Sequence, residues 1–567
     1  MHPVIKELQE ECPEVQTLWY LDDGILVGEP TAVAAALDKL ASKLAAIDLR
    51  LNTAKCEFLC NENMGMTILD STLKRTPCAS WSYLGAPLLD GPCECLTSSL
   101  SKTRTVGKRI RALAKDFPQC ALKLLQQTLG ACRVEHICQA VPPDILQDAL
   151  LVHCSKELQE CAKAVLGMTS ITDSQWRQMT LPSAMGGLGI RDPTWTAASS
   201  HLANMCVIKD NVARLGIPEL ILDGQLRRAL DLYHDVLHTR PSVLPEIVPK
   251  LQRVLTAAIY KRNIADLLDN ATNAANDYTR ISSLTSPHAM AWLDGPGILS
   301  TIESHEFRCA LRFVMGVPLR NESYSREECG LMADNYGLHA VSCLRTGEIG
   351  RGHTCLKYAL DHLLSLSGCN TIVEHPLPDD SAANQKAMDI VITSGLGTAQ
   401  IAVDVTIVNP LRPSTLPTEE INPTLDNAAV IKTRKYSQLC SKQSWKFTPL
   451  VFDVFGASHP TCRAFLKKVI KQLETKYPNE QRPGTGRLVA QADNPAGLAL
   501  GALSWKKRPK EPQQLQHQLQ QAPTPTSETL NTGIYYNPQP SSLPLTEYVS
   551  SLVAPTNSSQ SCHRPRA

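Results

Sequence analysis

The alternation of apolar and polar residues predicts a helical middle flanked by two regions of β-structure. Between Thr97 and Leu166, and again between His201 and Arg320, apolar residues recur every three to four positions, which is the spacing of amphipathic helices. Nearer the start, alternating apolar residues surround Asp22 and Asp23 and predict a buried β-hairpin, with Gly24 suited to its tight turn. The overall pattern therefore predicts a multidomain α+β protein.

Two short runs of β-branched residues near the carboxyl end each contain a single acid. The segments 388–393 and 400–408 predict paired strands, and they carry Asp389 and Asp404 among aliphatic neighbours. An unpaired carboxylate inside a sheet is destabilising, so its repetition on paired strands predicts that both side chains bind one cation. Glu374, from the preceding element, could add a third oxygen ligand.

Two lysines follow these strands on a predicted helix. Lys432 and Lys435 could stabilise negative charge on a cleaved phosphate. Acidic ligands and a lysine around Mg²⁺, or Mn²⁺ in its place, provide the chemistry of phosphodiester hydrolysis. The residue types therefore indicate a metal-dependent catalytic site that includes Asp389, Asp404 and Glu374.

A group of Cys and His residues precedes the predicted strands. Cys329, His339 and Cys343 have nine and three residues between successive members. Thiolates and imidazole at such spacing suit tetrahedral Zn²⁺. Three ligands do not close a structural zinc site, so Glu327 or His353 would supply the fourth. The alternative is a group of buried Cys and His residues that binds no metal.

Composition narrows the classes of protein without deciding between them. The 567 residues are 43% hydrophobic and carry a net charge of +1, so they can form several cores but no global basic field for nucleic acid. The 20 cysteines are irregularly spaced, with no signal peptide and no long apolar run, which indicates an intracellular protein without a membrane span. The Gln-, Pro-, Ser- and Thr-rich segment after Arg508 is expected to be disordered.

Three local features each allow a functional and a structural interpretation. The basic residues within 102–111 could contact nucleic acid, although such a run is usually a solvated helix face. Arg308 and Arg312 lie four apart on a predicted helix, where they could contact phosphate or form a solvated edge. The Gly-rich segment 178–193 favours a tight turn over a phosphate cradle.

The motifs at the start of the chain follow one another in a recognisable order. The acid-pair hairpin is followed by a predicted helix at 31–46, a Leu-Asn-x-x-Lys-Cys-Glu segment at 51–57 and a Tyr-Leu-Gly segment at 83–85. This order resembles the reverse transcriptase domain of non-LTR retroelements. The resemblance implies a polymerase-type palm in this part of the chain.

The same resemblance assigns roles to individual residues. It implies that Asp22 and Asp23 are catalytic metal ligands, that Lys55 lies near the incoming triphosphate and that Tyr83 belongs to the primer grip. The family's fingers, first palm strands and first catalytic aspartate have no counterpart before Tyr20. We therefore expect an amino-terminally truncated reverse transcriptase-like protein that has no polymerase activity alone.

The stretch from Cys329 to Phe455 resembles a second domain of the same elements. It is similar to the restriction-enzyme-like endonuclease that follows a Cys-Cys-His-Cys zinc motif in site-specific non-LTR retroelements. The resemblance implies that Asp389 and Asp404 bind Mg²⁺ and that Lys432 or Lys435 assists. In that family, the nick made by this domain primes reverse transcription.

Two positions depart from the nuclease pattern. Met388 stands where a proline usually precedes the first aspartate, and Thr406 stands where many such nucleases have a lysine. Proline at that place shapes the backbone and binds nothing. A lysine on the later helix would take over the role of the lysine that these nucleases have at the position of Thr406.

The resemblance divides the chain into five regions. They are a reverse transcriptase palm remnant at 1–96, a helical thumb at 97–195, a helical connector at 196–320, a zinc-like motif with an α/β restriction-endonuclease-like domain at 321–475, and a largely disordered tail at 476–567. It implies DNA and RNA as partners, no small-molecule cofactor and a nuclear location. The leading hypothesis is Mg²⁺-dependent DNA nicking, with Asp389 and Asp404 as ligands, Glu374 as an auxiliary acid or base and Lys435 supporting the transition state. The alternative is a non-catalytic nucleic-acid-binding relic of a retroelement.

Overall fold

A computed structural model describes most of the chain up to Lys476. The described residues are 2–59, 73–77, 80–88, 93–213, 219–238, 248–271, 275–293, 302–325, 329–330, 332–343, 348–377, 387–411 and 423–476. The chain divides into two compact units, Met1–Lys506 and Lys507–Ala567, and every described residue lies in the first. The mixed α+β class is confirmed, whereas the five domain boundaries stay predictions and the expected disordered tail lies outside the described residues.

The amino-terminal hairpin forms, but its turn does not lie at Gly24. The elements are α1 His2–Glu11, β1 Gln16–Tyr20, β2 Asp23–Val27 and α2 Pro30–Ala45. Tyr20 pairs with Asp23, so the turn consists of Leu21, which has a left-handed backbone (φ 59°), and the residue after it. Gly24 lies opposite Trp19 instead, where a Cβ would come within 2.5 Å of the indole ring. The glycine is therefore explained by packing and not by the turn.

Two small sheets follow the hairpin. They are built from β3 Glu57–Phe58 with β4 Lys74–Arg75, which are parallel, and from β5 Ser82–Tyr83 with β6 Ala86–Pro87, which are antiparallel. Leu84 and Gly85 turn the second pair with positive φ values of 50° and 79°. The Tyr-Leu-Gly segment is thus a hairpin, as the motif order implies.

The middle of the chain is helical, as its apolar spacing predicts. The helices are α3 Glu94–Ala114, α4 Pro118–Thr128, α5 Ala131–Ala140, α6 Pro143–Leu146, α7 Val152–Leu166, α8 Asp173–Thr180, α9 Pro193–Ala213, α10 Glu219–Leu237, α11 Leu251–Ala271, α12 Ala275–Leu284 and α13 Ser304–Val314. Several of them share one apolar core that includes Leu125, Leu158 and Phe307. Among the described residues, no helix combines the length and apolar content that crossing a bilayer requires.

Two of the ambiguous local features prove to be structural. In the Gly-rich segment, a Cβ on Gly187 would overlap the carbonyl oxygen of Leu181, which confirms the tight turn. Arg308 donates hydrogen bonds to the carbonyl oxygens of Val165 and Ala114. Arg312 does the same for Leu166 and Gly167, a residue that follows α7. The arginines therefore cap the ends of α3 and α7, a role that the sequence did not suggest, and contact with phosphate stays a prediction.

A four-stranded sheet flanked by helices follows the helical middle. A short separate hairpin, β7 Tyr324–Ser325 with β8 Met332–Ala333, comes first. The strands of the sheet are β9 Asn370–Pro376, β10 Ala387–Ser394, β11 Ile401–Val408 and β12 Lys446–Asp453, and the helices are α14 Glu348–Leu366, α15 Pro423–Lys442 and α16 Pro460–Lys476. The strand order is β12-β11-β10-β9. Strand β10 is antiparallel to both of its neighbours, β9 and β11, whereas β12 is parallel to β11. The two predicted strands are therefore confirmed as the centre of one sheet.

Helices α14 and α15 cover opposite faces of this sheet. On β11, Val403 packs with Leu356 of α14, whereas its neighbour Ala402 packs with Tyr436 of α15. Successive side chains of a strand point to opposite faces, so the two helices must lie on different sides. Side chains on the two central strands, β10 and β11, can therefore contact α14 on one face of the sheet or α15 on the other.

The end of β12 joins this sheet to the helical core. The Phe455 ring stacks on Phe313 of α13 with centroids 5.0 Å apart, and a Cβ on Gly456 would lie 2.7 Å from the carbonyl oxygen of Ala289. Asp453, which is fully buried, accepts hydrogen bonds through Oδ1 from the N–H groups of Phe455 and Ala457, both 2.9 Å long. Burial raises the pKa of Asp453 to about 6.

This buried acid predicts a pH-dependent effect of Asp453→Asn. A carboxyl whose pKa is raised by folding binds its proton more tightly in the native state, so wild type loses stability as pH rises from about 4 to about 6. The asparagine cannot ionise and keeps an Oδ1 acceptor. We expect Asp453→Asn to be more stable than wild type by roughly 1–3 kcal/mol above pH 6 and to lose that advantage near pH 4.

Urea unfolding at pH 4, 5, 6 and 7.5 measures this difference. The control is Asp148→Asn, which removes an exposed carboxylate. A stability difference for Asp453→Asn that does not change with pH would contradict the assignment of a buried, titrating carboxyl.

Candidate functional site

The backbone pairing between β10 and β11 stops where Asp389 and Asp404, the two predicted metal ligands, would face each other. The pairs run from Ile392 with Ile401 to Ile390 with Val403, so Asp389 and Asp404 would form the next pair. No such backbone pair forms between them. The sheet therefore opens at the position of the two aspartates.

The Asp389 carboxylate occupies this opening. Its Oδ2 accepts the N–H of Val405 at 2.7 Å and lies 3.1 Å from Nε2 of His353 on α14. Because Val405 directly follows Asp404, the carboxylate of Asp389 lies beside the backbone that carries the second acid. Burial raises the pKa of Asp389, but the hydrogen bonds from His353 and Val405 outweigh it and hold the pKa below its ordinary value. The bond to Asp389 in turn raises the pKa of His353.

Asp404 is held from the other face of the sheet. It is 4% exposed, and its Oδ2 lies 2.8 Å from Nζ of Lys432 on α15. The Thr406 hydroxyl donates to the same oxygen at 3.1 Å. Lys435 is exposed and its Nζ lies 4.6 Å from the ring centre of Tyr436. Of the two predicted lysines, Lys432 is therefore the one at the acid site.

Glu374 does not join the two aspartates. It lies opposite Asp389 on β9 with a left-handed backbone (φ 55°), and its carboxylate forms an ion pair with Lys357, a lysine of α14 that is only 3% exposed. Among the described residues, the acids Glu374, Asp389 and Asp404 do not form a group with ligand atoms within 4.8 Å of one another. The expectation that Glu374 supplies a third oxygen ligand is not met by this arrangement.

Cys329, His339 and Cys343 do converge. One ligand atom from each lies within 4.8 Å of the other two, and Sγ of Cys329 is 3.3 Å from Nε2 of His339. Asp334 accepts the N–H of His339 and so shapes the turn that carries it, and the N–H of Cys343 bonds to the carbonyl of His339 at 2.9 Å. Two thiols and an imidazole at this separation fit Zn²⁺, with a fourth position to be filled.

The proposed fourth ligands have different outcomes. His353 does not belong to the group, and its Nε2 is bonded to Asp389 on the sheet. Glu327 lies outside the described residues. The Cys-His-Cys turn also contacts the sheet, since Nδ2 of Asn409, just after β11, donates to the Ser342 hydroxyl at 2.5 Å. A hydrogen bond therefore joins the Cys-His-Cys turn to the end of β11, the strand that carries Asp404.

The amino-terminal acid pair lies on an exposed hairpin. Asp22 and Asp23 are both exposed, and the neighbouring Leu21 is 80% exposed. The prediction that the hairpin is buried was wrong, so burial gives no reason for these acids to need a cation. Burial and the charge of Asp23 raise the pKa of Tyr83, which shows an electrostatic effect of the acid on this residue. Lys55 is exposed in a short 3₁₀ turn.

Sequence reasoning missed three residues that hold the site together. His353 had been considered only as a zinc ligand, and Lys357 and Asn409 had not been considered. The spacing of His353 and Lys357 on one helix face was a usable signal. Their acidic partners could not be inferred from it.

Comparisons with known proteins identified no relative of this chain. No protein-family model matches the chain, and no curated protein matches it. Function must therefore be inferred from the site geometry and from the motif resemblances.

The Cys-His-Cys group predicts a bound zinc ion that depends on Cys343. We expect wild type reconstituted with Zn²⁺ and dialysed to retain about one ion per chain, and Cys343→Ser to retain much less, because a hydroxyl is a poor substitute for a thiolate ligand. Elemental analysis measures the zinc, and Co²⁺ substitution reports thiolate ligation by its absorption bands.

The matched control is Cys355→Ser, which changes an exposed cysteine outside the group. Equal zinc content in Cys343→Ser and wild type, or none in wild type, would show that these residues do not form a zinc site.

Proposed function

We propose that the sheet from α14 to α16 is a Mg²⁺-dependent endonuclease that nicks DNA, within a protein of the non-LTR retroelement type. One observation carries the proposal. The buried Asp404 carboxylate is bonded to Lys432 beside the opening in the ladder that Asp389 occupies. Two carboxylates and a lysine at one break in a sheet are a suitable donor set for phosphodiester hydrolysis.

The hydrogen bonds leave each carboxylate one oxygen for a cation. In the described residues, Oδ2 of Asp389 and Oδ2 of Asp404 take the protein donors, and no protein donor bonds to either Oδ1. Mg²⁺, which favours carboxylate oxygens, would bind through one or both of these Oδ1 atoms at the break in the ladder, where the acids have partners from the two faces of the sheet. Mn²⁺ would bind through the same atoms.

The chemistry is the hydrolysis of one strand. Bound Mg²⁺ would supply an activated water and neutralise charge on the phosphate. The water oxygen would bond to phosphorus while the bond to the 3′ oxygen breaks. The water would lose a proton and the leaving 3′ oxygen would take one up, which gives a 3′-hydroxyl and a 5′-phosphate. Lys432 would stabilise the negative charge that builds up on the phosphate oxygens, because its ammonium group already lies at the acid site.

The amino-terminal motifs support the wider assignment. The acid-pair hairpin, the following helix and the Tyr-Leu-Gly hairpin occur in the order that non-LTR reverse transcriptases have, and burial and the charge of Asp23 raise the pKa of Tyr83. RNA as a second partner and a nuclear location belong to the same proposal. We expect no nucleotide incorporation by this chain alone, and a primer-extension assay with Mg²⁺ or Mn²⁺ tests that expectation.

Nicking of supercoiled plasmid is the direct test of the endonuclease. We expect wild type to convert supercoiled DNA to open circles only with Mg²⁺ or Mn²⁺. Asp404→Asn removes the negative charge of a cation ligand, and Lys432→Ala removes the stabilising positive charge. Each should lower the nicking rate on the order of 10²-fold. Lys435→Ala should retain most activity, because among the described residues Lys432 is the lysine paired with Asp404, whereas Nζ of Lys435 lies over the Tyr436 ring.

The matched control is Lys442→Ala, an exposed lysine at the end of the same helix. Nicking that persists unchanged in Asp404→Asn would point to a contaminating nuclease. Folded wild type that binds DNA without nicking it under any divalent cation would favour the non-catalytic relic.

A further inference from the structure

The His353 side chain takes the place of a missing strand partner. Beyond Val403, the edge of β11 that faces β10 has no backbone pair, and yet both polar groups of Val405 are bonded. Its N–H donates to Oδ2 of Asp389 at 2.7 Å, and its carbonyl oxygen lies 3.0 Å from Nε2 of His353. Two side chains thus satisfy one residue's backbone, as buried peptide groups require.

The geometry fixes which ring nitrogen carries a proton. Nε2 of His353 faces two acceptors, the Val405 carbonyl oxygen and Oδ2 of Asp389, at 3.0 and 3.1 Å. Neither can donate when Asp389 is ionised, so Nε2 must be an N–H donor shared between them. A protonated Nε2 cannot ligate a metal, which excludes that atom of His353 as a direct ligand here.

His353 is well placed to hold this contact. It lies on α14 one turn before Leu356 and Lys357, both of which are buried against the sheet domain. Its own side chain is 30% exposed, so it reaches the opening from the edge of the packed face. Oδ2 of Asp389 accordingly has two donors from fixed parts of the protein, one from the backbone of β11 and one from α14.

We propose that His353 is a positioning residue for cation binding, which keeps Oδ2 of Asp389 bonded so that Oδ1 is presented to the metal. This inference rests on the proposed function. Residues that donate hydrogen bonds to metal ligands commonly change metal affinity by about 10–100-fold when they are removed. His353 acts through Asp389 and does not touch the phosphate.

Two amide substitutions separate positioning from bulk packing. In His353→Gln, the amide nitrogen can take the place of Nε2, so the donor is kept. In His353→Asn, the amide nitrogen corresponds to Nδ1 and falls short of both acceptors. Both variants are polar and smaller than histidine, and the side chain is partly exposed, so folding is checked by thermal melting before activity is compared. The control is His362→Gln, an exposed histidine on the same helix.

The primary readout is Mn²⁺ affinity of the zinc-loaded full chain, followed by electron paramagnetic resonance of free Mn²⁺. The second is the Mg²⁺ concentration that gives half-maximal nicking. We expect His353→Asn to weaken both by about 10-fold or more, with a smaller change in the nicking rate at saturating Mg²⁺. His353→Gln should remain within a few-fold of wild type.

The two readouts distinguish failure of this inference from failure of the proposed function. Wild type that binds Mn²⁺ with an affinity lowered by His353→Asn, but does not nick, would remove the endonuclease and leave the positioning role. Nicking whose Mg²⁺ dependence is the same in wild type, His353→Asn and His353→Gln would overturn the positioning role alone. Tighter cation binding in His353→Asn would also overturn it, since the histidine would then restrain Asp389.

Discussion

The structure of the acid site depends on one constraint, which is that buried peptide groups need hydrogen-bond partners. The ladder between β10 and β11 ends at Val403, and the edge of β11 that continues beyond it would otherwise leave polar groups unpaired. Asp389 and His353 bond to the backbone of Val405 in place of a strand. An acid can therefore remain on an aliphatic strand because the backbone beside it needs an acceptor.

The same constraint links the sheet to the rest of the protein. At the end of β12, Oδ1 of Asp453 accepts two backbone N–H groups that turn the chain into the helical core. At the end of β11, Asn409 bonds to Ser342 in the Cys-His-Cys turn. In the helical middle, Arg308 and Arg312 satisfy the carbonyl oxygens at helix ends. Polar side chains thus hold each junction where regular hydrogen bonding stops.

The sequence predicted elements with local signals and missed contacts between distant segments. Apolar spacing was sufficient for the helices between Glu94 and Val314, and β-branched runs were sufficient for β10 and β11. Burial of the amino-terminal hairpin was predicted wrongly, because burial depends on what packs against a strand and not on its own alternation. The Arg308 caps could not be predicted, since Arg308 and its acceptor Ala114 are 194 residues apart. The different roles of Lys432 and Lys435 could not be predicted either. Which of them faces Asp404 depends on how α15 packs against the sheet, and that is a contact between distant segments.

Charge explains how the proposed cation site could be folded before the cation binds. A buried carboxylate without a partner costs several kcal/mol, and Lys432 offsets this cost for Asp404. The bond to Asp389 raises the pKa of His353, so both protonation states of the histidine count. The two aspartates and Lys432 leave one net negative charge with a neutral His353 and none with a protonated one, and neither state attracts a phosphate. A bound divalent ion would make the net charge positive in both states. The phosphodiester would then be attracted only after the metal, so the ion pair that stabilises the fold would also set the order of binding.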